Sequence, residues 1–376
     1  MKVTHNGKSK HFRTVWFDKT KNHIRLIEQR LLPHQFKIIS TKSYQETSQA
    51  IKDMVVRGAG AIGATAAYGL AQGAQIFQGN GIKTFEKHIA KVFQTLASAR
   101  PTAIDPTNAM QSMLSRMHGP SVANRKLQAH DLAEQFAEDD VTHCKKIGHI
   151  GEQLIQNGTR VLTHCNAGWL AFVDYGSATA PMYSAHEKNK KFHVFCDETR
   201  PRSQGAALTA WELSQQGISH DIIADNASGH LMQRGEIDLV IVGSDRTLGR
   251  TGEVTNKIGT YTKAVLAKRH GIPFYVAIPL STIDWKINSG LKIPIEERAS
   301  EEVLRAWGVS DSGKRLSISI ANPSSTARNP SFDVTPPELI TGIITPVGII
   351  KPKKLWKNRL KLGYDNIKKN LCSKGF

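Results

Sequence analysis

Strand-like and helix-like segments alternate along the chain from residue 158 onward. Short apolar runs rich in β-branched residues are followed by segments whose apolar residues recur at helical spacing. The predicted strands cover residues 160–164, 192–196, 220–224, 237–242 and 273–278. The predicted helices cover residues 177–187, 205–216, 227–233 and 255–270. This order of elements is typical of a Rossmann-like, doubly wound parallel sheet.

The part of the chain before residue 158 has a different pattern. Short β-rich pieces predict a small antiparallel sheet, and they are residues 13–17, 23–27 and 37–39. Helical spacing then predominates, with one long helix or two over residues 122–156. The sequence therefore predicts an α/β protein with a small mixed β/helical N-terminal domain, residues 1–140, and a Rossmann-like domain, residues 141–350.

A polar excursion, a helix and a basic tail are predicted near the C-terminus. Residues 308–327 are polar and serine-rich, and Thr335 with Pro336 has the pattern of a helix start. Residues 351–376 form the tail, and its apolar residues on one helical face are Trp356, Leu360, Ile367 and Leu371. A basic amphipathic helix binds anionic membranes or nucleic acid, but a tail that docks on the protein or has no fixed structure is the simpler alternative. We expect this tail to be dispensable for activity.

Composition excludes several classes of protein. A hydrophobic content of 40% in 376 residues is ordinary for two domains with sizeable cores. The amino end is polar and basic, and no apolar run approaches the roughly 20 residues that span a bilayer. We therefore expect a cytoplasmic protein without a membrane partner. The four cysteines, none in a CxxC pair, predict neither a disulfide framework nor a metal site.

The net charge indicates an anionic partner. It is +18 at pH 7, and the sequence pI is about 9.7. These values favour a polyanionic partner or a small anionic substrate. Residues 351–376 alone supply a net +8 of this charge. Much of the excess therefore belongs to the tail, and nucleic acid is the less favoured partner.

Polar side chains follow the predicted strands where ligands of open α/β sheets bind. Cys165, Gln204 and Asp245 lie just beyond strand-like runs, so we expect them to meet in one cleft. Cys165 precedes Asn-Ala-Gly, a setting in which thiols become reactive, although an inert buried thiol is an equally good interpretation. Spacing alone does not rank the acids at strand ends, which are Asp197, Glu198, Asp225 and Asp245.

A glycine-rich turn after Arg57 favours an anionic ligand. Gly58, Gly60 and Gly63 match the dinucleotide fingerprint, but no full strand precedes them, so we interpret the match as accidental. A turn at a helix amino end still suits an anion. Cations in glycine- or proline-pinned turns, which favour a phosphorylated substrate, are Arg57, Arg100, Arg200, Arg246 and Lys257.

A series of ordered blocks between about residues 12 and 348 resembles one enzyme family. The blocks are Arg57-Gly-Ala-x-Ala-Ile-Gly, Arg100-Pro-Thr-Ala, Leu162-Thr-His-Cys-Asn-Ala-Gly, Asp197-Glu-Thr-Arg-Pro-x-x-Gln-Gly-Ala, Gly243-Ser-Asp-Arg, Asn256-Lys-Ile-Gly-Thr-Tyr, Ile272-Pro-Phe-Tyr-Val-Ala, Ser281-Thr-Ile-Asp, Ile293-Pro-Ile-Glu-Glu-Arg and Phe332-Asp-Val-Thr-Pro. Together they are similar to the methylthioribose-1-phosphate isomerases. That family is akin to the alpha, beta and delta subunits of eukaryotic initiation exchange factor 2B and to archaeal ribose-1,5-bisphosphate isomerase.

The resemblance implies a homodimeric enzyme of methionine salvage that isomerises an aldose 1-phosphate to the ketose 1-phosphate without a cofactor. By motif, Cys165 and Asp245 would be the catalytic pair. The implied substrate-binding residues are Arg57, Gly58, Ala59, Arg100, Gln204, Asn256 and Lys257. The alternatives are an isomerase of ribose 1,5-bisphosphate or 5-deoxyribose 1-phosphate, and a non-catalytic subunit like those of the exchange factor, which typically lack the catalytic pair.

Three segments depart from the usual pattern of this family. Gly60 stands where proline is usual, and Ile104-Asp-Pro-Thr-Asn replaces the usual Val-Asn-Leu. The loop Thr247-Leu-Gly-Arg-Thr-Gly-Glu is one residue longer than the commonest form. All three lie near the inferred pocket, so they bear on the substituent at the 5-position of the sugar more than on the reaction.

Overall fold

The helices and strands are those of a computed structural model, which describes residues 1–5, 7–101 and 103–364. In chain order the strands are β1 Lys2–His5, β2 Lys8–His11, β3 Val15–Asp18, β4 His23–Ile27, β5 Ile38–Thr41, β6 Arg160–Thr163, β7 His193–Asp197, β8 His220–Ile223, β9 Leu239–Val242, β10 Arg246–Leu248, β11 Val254–Lys257, β12 Phe274–Ala277, β13 Ile283–Asp284, β14 Arg305–Val309, β15 Arg315–Ser319, β16 Phe332–Thr335, β17 Gly342–Thr345 and β18 Gly348–Ile350. The helices are α1 Tyr44–Lys52, α2 Ala59–Gln75, α3 Ile82–Ala97, α4 Ile104–Leu114, α5 Val122–Gly151, α6 Ala180–Glu187, α7 Ala210–Gln215, α8 Ala227–Gln233, α9 Thr260–Arg269 and α10 Glu301–Leu304. None of the described helices is both long enough and apolar enough to cross a bilayer.

A mostly parallel sheet forms the centre of the larger domain. Its strand order is β18-β17-β12-β9-β6-β7-β8, and only the pairing of β17 with β18 is antiparallel. Successive residues of a strand point to opposite faces of the sheet. Val161 and Ile241 accordingly pack in one core, whereas Leu162 and Val240 pack in the other. With helices over both cores, the predicted doubly wound fold class is confirmed.

The smaller domain is built around α2. The sequence of this helix is rich in alanine and glycine, so neighbouring helices approach it closely, and almost all of its residues are buried. The sheet of β3, β4 and β5 lies in the region predicted from the β-rich pieces. The N-terminal hairpin of β1 and β2 packs differently, because Met1 and Val3 belong to a core of the larger domain.

Helix α5 connects the two parts of the molecule. It is a single 30-residue helix, which settles the choice between one helix and two. Ala129 and Ala137 lie in the core of the smaller domain, whereas Ile147 lies in a core of the larger one. The boundary predicted at residue 140 therefore falls inside a continuous helix, and it stays a prediction.

Two predicted helices near the C-terminus are wrong in part or entirely. The segment after Thr335 and Pro336 makes a short 3-10 turn and then the strand β17, because Gly342-Ile-Ile-Thr is buried and pairs in parallel with β12. That pairing prevails over the local helix-start signal. The predicted helix 255–270 begins only at Thr260, since residues 254–257 form β11.

The described part of the predicted tail packs on the larger domain. Residues 352–364, which we call the C-terminal strap, form a 3-10 turn and further turns that bury Leu355 and Leu362. Leu360 is exposed, so the predicted helical face is wrong here. Ile367 and Leu371, the other residues of that face, lie outside the described residues.

Candidate active site

Cys165 and Asp245 lie where the strand order of the parallel sheet reverses. Strands β6 and β9 are neighbours, and the chain proceeds from β6 to β7 and β8 on one side and from β9 to β12 and β17 on the other. Cys165 comes two residues after β6, and Asp245 comes three residues after β9. Ligands of doubly wound sheets bind at this reversal, beyond the carboxyl ends of the strands.

A cleft of about 650 Å³, counted out to its mouth, opens at this point. All of the site residues predicted from the sequence line it, and they are Arg57, Gly58, Ala59, Arg100, Cys165, Gln204, Asp245, Asn256 and Lys257. The cleft has further lining residues that the sequence analysis did not select, namely Met54, Ile62, His164, Asn166, Ala167, Ala171, Phe172, Ser244, Arg298 and Phe332.

Cys165 is held by hydrogen bonds on both sides of its backbone. Its φ of +65° is in the left-handed region, which is uncommon for a residue other than glycine. Its N–H donates to Thr199 Oγ1 (2.8 Å), and its carbonyl accepts from Thr209 Oγ1 (2.7 Å). The thiol donates to Gln204 Oε1 (3.1 Å) and is almost completely buried. The sulfur therefore has one fixed direction in the cleft.

Asp245 is an acid whose surroundings favour its protonated form. Burial raises the pKa of Asp245, while Arg100, Arg246 and Lys257 oppose that rise. Its backbone N–H donates to Thr255 O (2.9 Å), where β10 pairs with β11. These two strands are the middle of a four-stranded sheet, with β13 beside β10 and β16 beside β11. We call residues 245–257 the ribbon. A carboxyl group with a raised pKa suits a proton donor.

The other acids at strand ends have structural partners. Asp197 accepts from His164 Nδ1 (2.8 Å) and lies 3.3 Å from Lys263 Nζ. Asp225 accepts the backbone N–H groups of Thr199 and Arg200. Glu198 is not among the residues that line the cleft. Of the four acids that spacing could not rank, only Asp245 faces the cleft.

Ligand-type atoms of His164, Asp197 and Asp225 lie within 4.8 Å of one another, as they would around a metal ion. Lys263 Nζ donates to Asp225 O (2.9 Å) and pairs with Asp197, so a cation of the chain already neutralises this cluster. His164 Nε2 lies 2.8 Å from Ile258 O, a group that can only accept a hydrogen bond. The cluster therefore links the end of β6, next to Cys165, to Ile258, next to Lys257.

A buried hydrogen-bond network holds Arg57 on one wall of the cleft, which we call the sheet wall. The guanidinium donates to Asn166 Oδ1 and to Asn166 O (2.8 Å). Asn166 Nδ2 donates in turn to Glu212 Oε1 (2.9 Å). The Glu212 carboxylate also accepts from the N–H groups of Trp169 and Leu170 and from the hydroxyl of Tyr183. These hydrogen bonds thus fix the position of the Arg57 guanidinium.

The turn beside Arg57 brings backbone close to the cleft. Gly58 has a φ of +90° and caps α2, and a Cβ on it would overlap Ala171. Only glycine fits at this position. Ala59 is the first residue of α2, so the amino end of a 17-residue helix faces the cleft. Such an end attracts anions.

The opposite wall carries two further cations. Arg100 pairs weakly with Glu296 (3.7 Å), and its buried Nε has no hydrogen-bond partner among the described residues. Lys257 Nζ lies 4.8 Å from the centre of the Phe332 ring, and burial lowers the pKa of Lys257 to about 8. Arg298 pairs with Glu302 (3.2 Å) beside them. Arg100 and Lys257 are therefore the cations of this wall that are available to an anionic ligand.

Two of the cations predicted near the cleft lie elsewhere. Arg200 donates to Pro201 O and Val303 O, and Arg246 pairs with Asp284 (3.2 Å). Seven residues of the cleft that the sequence analysis did not select lay within the motif blocks, and three of them are His164, Asn166 and Arg298. His164 and Asn166 flank Cys165, and Arg298 ends the block that begins at Ile293. Their place in those blocks was the signal that could have found them.

Comparison with known sequences gives one consistent group. The profile of the Initiation factor 2 subunit family matches residues 55–352. A methylthioribose-1-phosphate isomerase of Sinorhizobium medicae is 46% identical over 350 residues, which is 90% of this chain and 94% of the relative. One of the same name from Cereibacter sphaeroides is 47% identical over 346 residues, 90% of this chain and 93% of the relative.

Solved structures with the same fold are described either as isomerases or as translation initiation factor subunits. The 5-methylthioribose 1-phosphate isomerase of Pyrococcus horikoshii OT3 superposes with a TM-score of 0.81 at 40% identity, covering 95% of this chain and 97% of that one. A structure described as translation initiation factor eIF-2B, subunit delta, from A. fulgidus has a TM-score of 0.77 at 39% identity, covering 94% and 99%.

Proposed function

The chain belongs to the methylthioribose-1-phosphate isomerases within the Initiation factor 2 subunit family, and from that premise we propose how it works. The reaction is the conversion of 5-methylthioribose 1-phosphate to 5-methylthioribulose 1-phosphate in methionine salvage. In our proposal Cys165 and Asp245 perform the chemistry, and the cations around them bind the phosphate.

The observation that carries the proposal is the meeting of a buried thiol and an acid of raised pKa in one cationic cleft. Cys165 and Asp245 come from different strands, yet both line the cleft together with Arg57, Arg100 and Lys257. A module that only binds a partner has no need of such a pair. The cleft therefore supports an enzyme over a non-catalytic subunit.

The substrate's phosphate on C1 prevents simple hemiacetal opening, so acid catalysis is required. Protonated Asp245 gives its proton to the ring oxygen as the bond from that oxygen to C1 breaks. A hydrogen then moves from C2 to C1, and the C2 hydroxyl loses its proton as C2 becomes a ketone. One proton is gained at the ring oxygen and one is lost at C2, so the isomerisation is balanced.

Cys165 is the group we assign to the hydrogen step. In an enediol route its sulfur carries the proton from C2 to C1, and in a hydride route it acts beside the C2 hydroxyl as an acid-base partner. The hydrogen bond to Gln204 fixes the sulfur's direction (3.1 Å). The assignment holds for either route, because both need an acid-base group near C1 and C2.

The lining of the cleft supports a substrate with one phosphate. Arg57, the unpartnered Nε of Arg100 and Lys257 suit a single phosphate group. Arg298, a further cation, is already paired with Glu302. The apolar lining of Met54, Ile62, Ala171 and Phe172 suits a methylthio group at the 5-position, whereas a second phosphate would need unpaired cations there.

Steady-state kinetics of variants tests the catalytic pair. Cys165→Ser and Asp245→Asn should each lower kcat by at least about 100-fold with KM changed only a few-fold, because each removes a proton-transfer group and leaves the phosphate site intact. Cys196→Ala is the matched control, since this buried cysteine lies in β7 away from the cleft. Near-normal kcat in either catalytic variant would remove that residue from the mechanism.

Turnover of three sugar phosphates tests the substrate. We expect 5-methylthioribose 1-phosphate to give the highest kcat/KM, and ribose 1,5-bisphosphate and 5-deoxyribose 1-phosphate to give lower values. A preference for the bisphosphate would assign the chain to the alternative isomerase. Absence of turnover with all three would favour a non-catalytic role like that of the exchange-factor subunits.

We also propose that the chain forms a homodimer in the cytoplasm. Tyr261 and Val265 are exposed one turn apart on α9, and Ile222 is exposed on the edge strand β8. Exposed apolar side chains of this kind are common in interfaces between subunits. Light scattering should give twice the chain mass of 41.5 kDa, and a monomer at micromolar concentration would contradict the proposal.

A further inference from the structure

The C-terminal strap contacts the ribbon that carries Asp245, Asn256 and Lys257. The strap is anchored in the larger domain through Leu355 and Leu362, which are completely buried or nearly so. Its first residue, Pro352, lies against the ribbon turn, since a Cβ on Gly252 would overlap it. The strap and the turn are therefore packed with no room between them.

An arginine and two tryptophans form the main contact. Arg250, in the ribbon turn, stacks on the ring of Trp356, with its Cζ 4.2 Å from the ring centre. Its Nε donates to Trp285 O (3.0 Å). The rings of Trp285 and Trp356 are 6.2 Å apart, and Tyr364 packs at 5.5 Å from Trp356. Cation–π and aromatic contacts of this kind restrict side chains without hydrogen bonds.

The ribbon is short, so its turn is near the reacting groups. Only Arg246 with Thr255 and Thr247 with Val254 are paired between β10 and β11. At about 3.3 Å per residue, the nearest residues of the turn, Gly249 and Glu253, lie roughly 13 Å along the chain from Asp245 and Lys257. A displacement of the turn would therefore change the positions of both side chains.

The strap and the turn are far apart in the sequence. The family profile ends at residue 352, so nearly the whole strap lies beyond it. Arg250 lies in the loop that is one residue longer than the commonest form. The strap and the turn contact each other, although more than 100 residues separate Arg250 from Trp356.

We propose that the C-terminal strap is a positioning element of the active site. Through Trp356 it holds Arg250 and the ribbon turn, and so it fixes Asp245, Asn256 and Lys257 against the sheet wall. This role rests on the proposed function of those residues. It replaces our expectation that the whole segment 351–376 is dispensable, because residues 352–364 support the catalytic side chains from behind.

The test uses the full chain and two readouts, steady-state kinetics and amide hydrogen exchange. Trp356→Ala should lower kcat about tenfold, because small displacements of reacting groups are costly. The ribbon amides of Asp245 and Leu248 should exchange faster. Trp356→Phe keeps an aromatic face for Arg250 and should stay within about twofold of the wild type. Arg250→Met leaves the strap's own anchors in place and should act like Trp356→Ala even if the latter does not fold.

Met232→Ala is the control for a general loss of stability. Met232 is buried in the same core as the strap but lies on α8, so this variant should lower Tm and leave kcat within twofold. The proposal is overturned if Arg250→Met keeps normal kcat and ribbon exchange, or if Met232→Ala lowers kcat as much as Trp356→Ala. If the wild type turns over no sugar phosphate, the proposed function fails, and ribbon exchange still decides whether the strap holds the ribbon.

Discussion

The sheet wall of the cleft, with Arg57 and Asn166, and the ribbon wall, with Asp245 and Lys257, are held by different interactions. Arg57 is fixed by a chain of buried hydrogen bonds that ends at Glu212. Asp245 is tied through a backbone hydrogen bond, and Lys257 rests on a phenylalanine ring. The first wall is held by buried side-chain hydrogen bonds, whereas the second is held by the backbone pairing of a four-stranded sheet and by packing behind it. Substitutions in the two walls should therefore separate stability from activity.

The largest effect is expected for Glu212→Ala in the sheet wall. The change leaves four hydrogen-bond donors buried without their acceptor, so the free energy of unfolding should fall by about 3–5 kcal/mol. Urea denaturation measures this loss. Glu236→Ala is the control, because this acid pairs with nearby Arg234 at the surface and should change stability by less than about 0.5 kcal/mol. If Glu212→Ala lowered the free energy of unfolding by less than about 1 kcal/mol, the hydrogen bonds of the sheet wall would not be what stabilises it.

Lys257→Met should affect activity and not stability. Loss of the cation should lower kcat/KM roughly a hundredfold, about 2.7 kcal/mol, since a charge-assisted contact to phosphate is removed. Burial already disfavours the charged form of this residue, so the midpoint of urea unfolding at pH 7 should stay the same or rise. A large loss of stability in Lys257→Met would show that Lys257, like Arg57, stabilises the fold.

The pH dependence of kcat/KM is a second test of Lys257 as a phosphate-binding residue. The pKa of Lys257 is lowered to about 8, so the side chain is charged below that pH and loses its proton above it. The kcat/KM of the wild type should therefore fall as the pH rises through about 8, because this ratio reports groups of the free enzyme. Lys257→Arg keeps its charge to higher pH and should move the fall upward. An unchanged alkaline limb would remove Lys257 from phosphate binding.

The last effect depends on pH and is expected at Asp105. Burial raises the pKa of Asp105 to about 7, with a further contribution from Asp245. The folded state then keeps a proton that the unfolded state releases above about pH 4, so stability falls as the pH rises from 4 to 7. Asparagine is the residue of the usual family segment at this position. Asp105→Asn should be more stable than the wild type at pH 8 by up to about 4 kcal/mol and equally stable at pH 4. The exposed Asp131→Asn is the control, and a difference that persists at pH 4 would contradict this cause.

The sheet and its ligand-binding edge could be predicted from the sequence because both follow from local patterns. β-branched runs gave the central strands, and residues after them, such as Cys165 and Asp245, meet because parallel strands share one edge. Strand β17 could not be predicted in this way. Its local signal, Thr335 with Pro336, indicates a helix, and only pairing with the distant β12 makes the segment a strand.

Contacts between distant residues account for the other differences. The ranking of Asp245 above Asp197 required the positions of His164 and Lys263, which occupy Asp197. The stack of Arg250 on Trp356 joins segments whose local sequences give no reason to meet. Local periodicity carries no information about such pairs, because it reports only neighbours within a few residues.

Helix α5 also limits how the cleft can open. At 1.5 Å per residue its 30 residues extend about 45 Å through both domains, and no proline interrupts it. Helices bend sharply almost only at proline, at glycine or serine pairs, or at bulges. The two domains therefore cannot rotate about a hinge within this helix. We therefore expect substrate entry and product release to come from local movement at the mouth of the cleft.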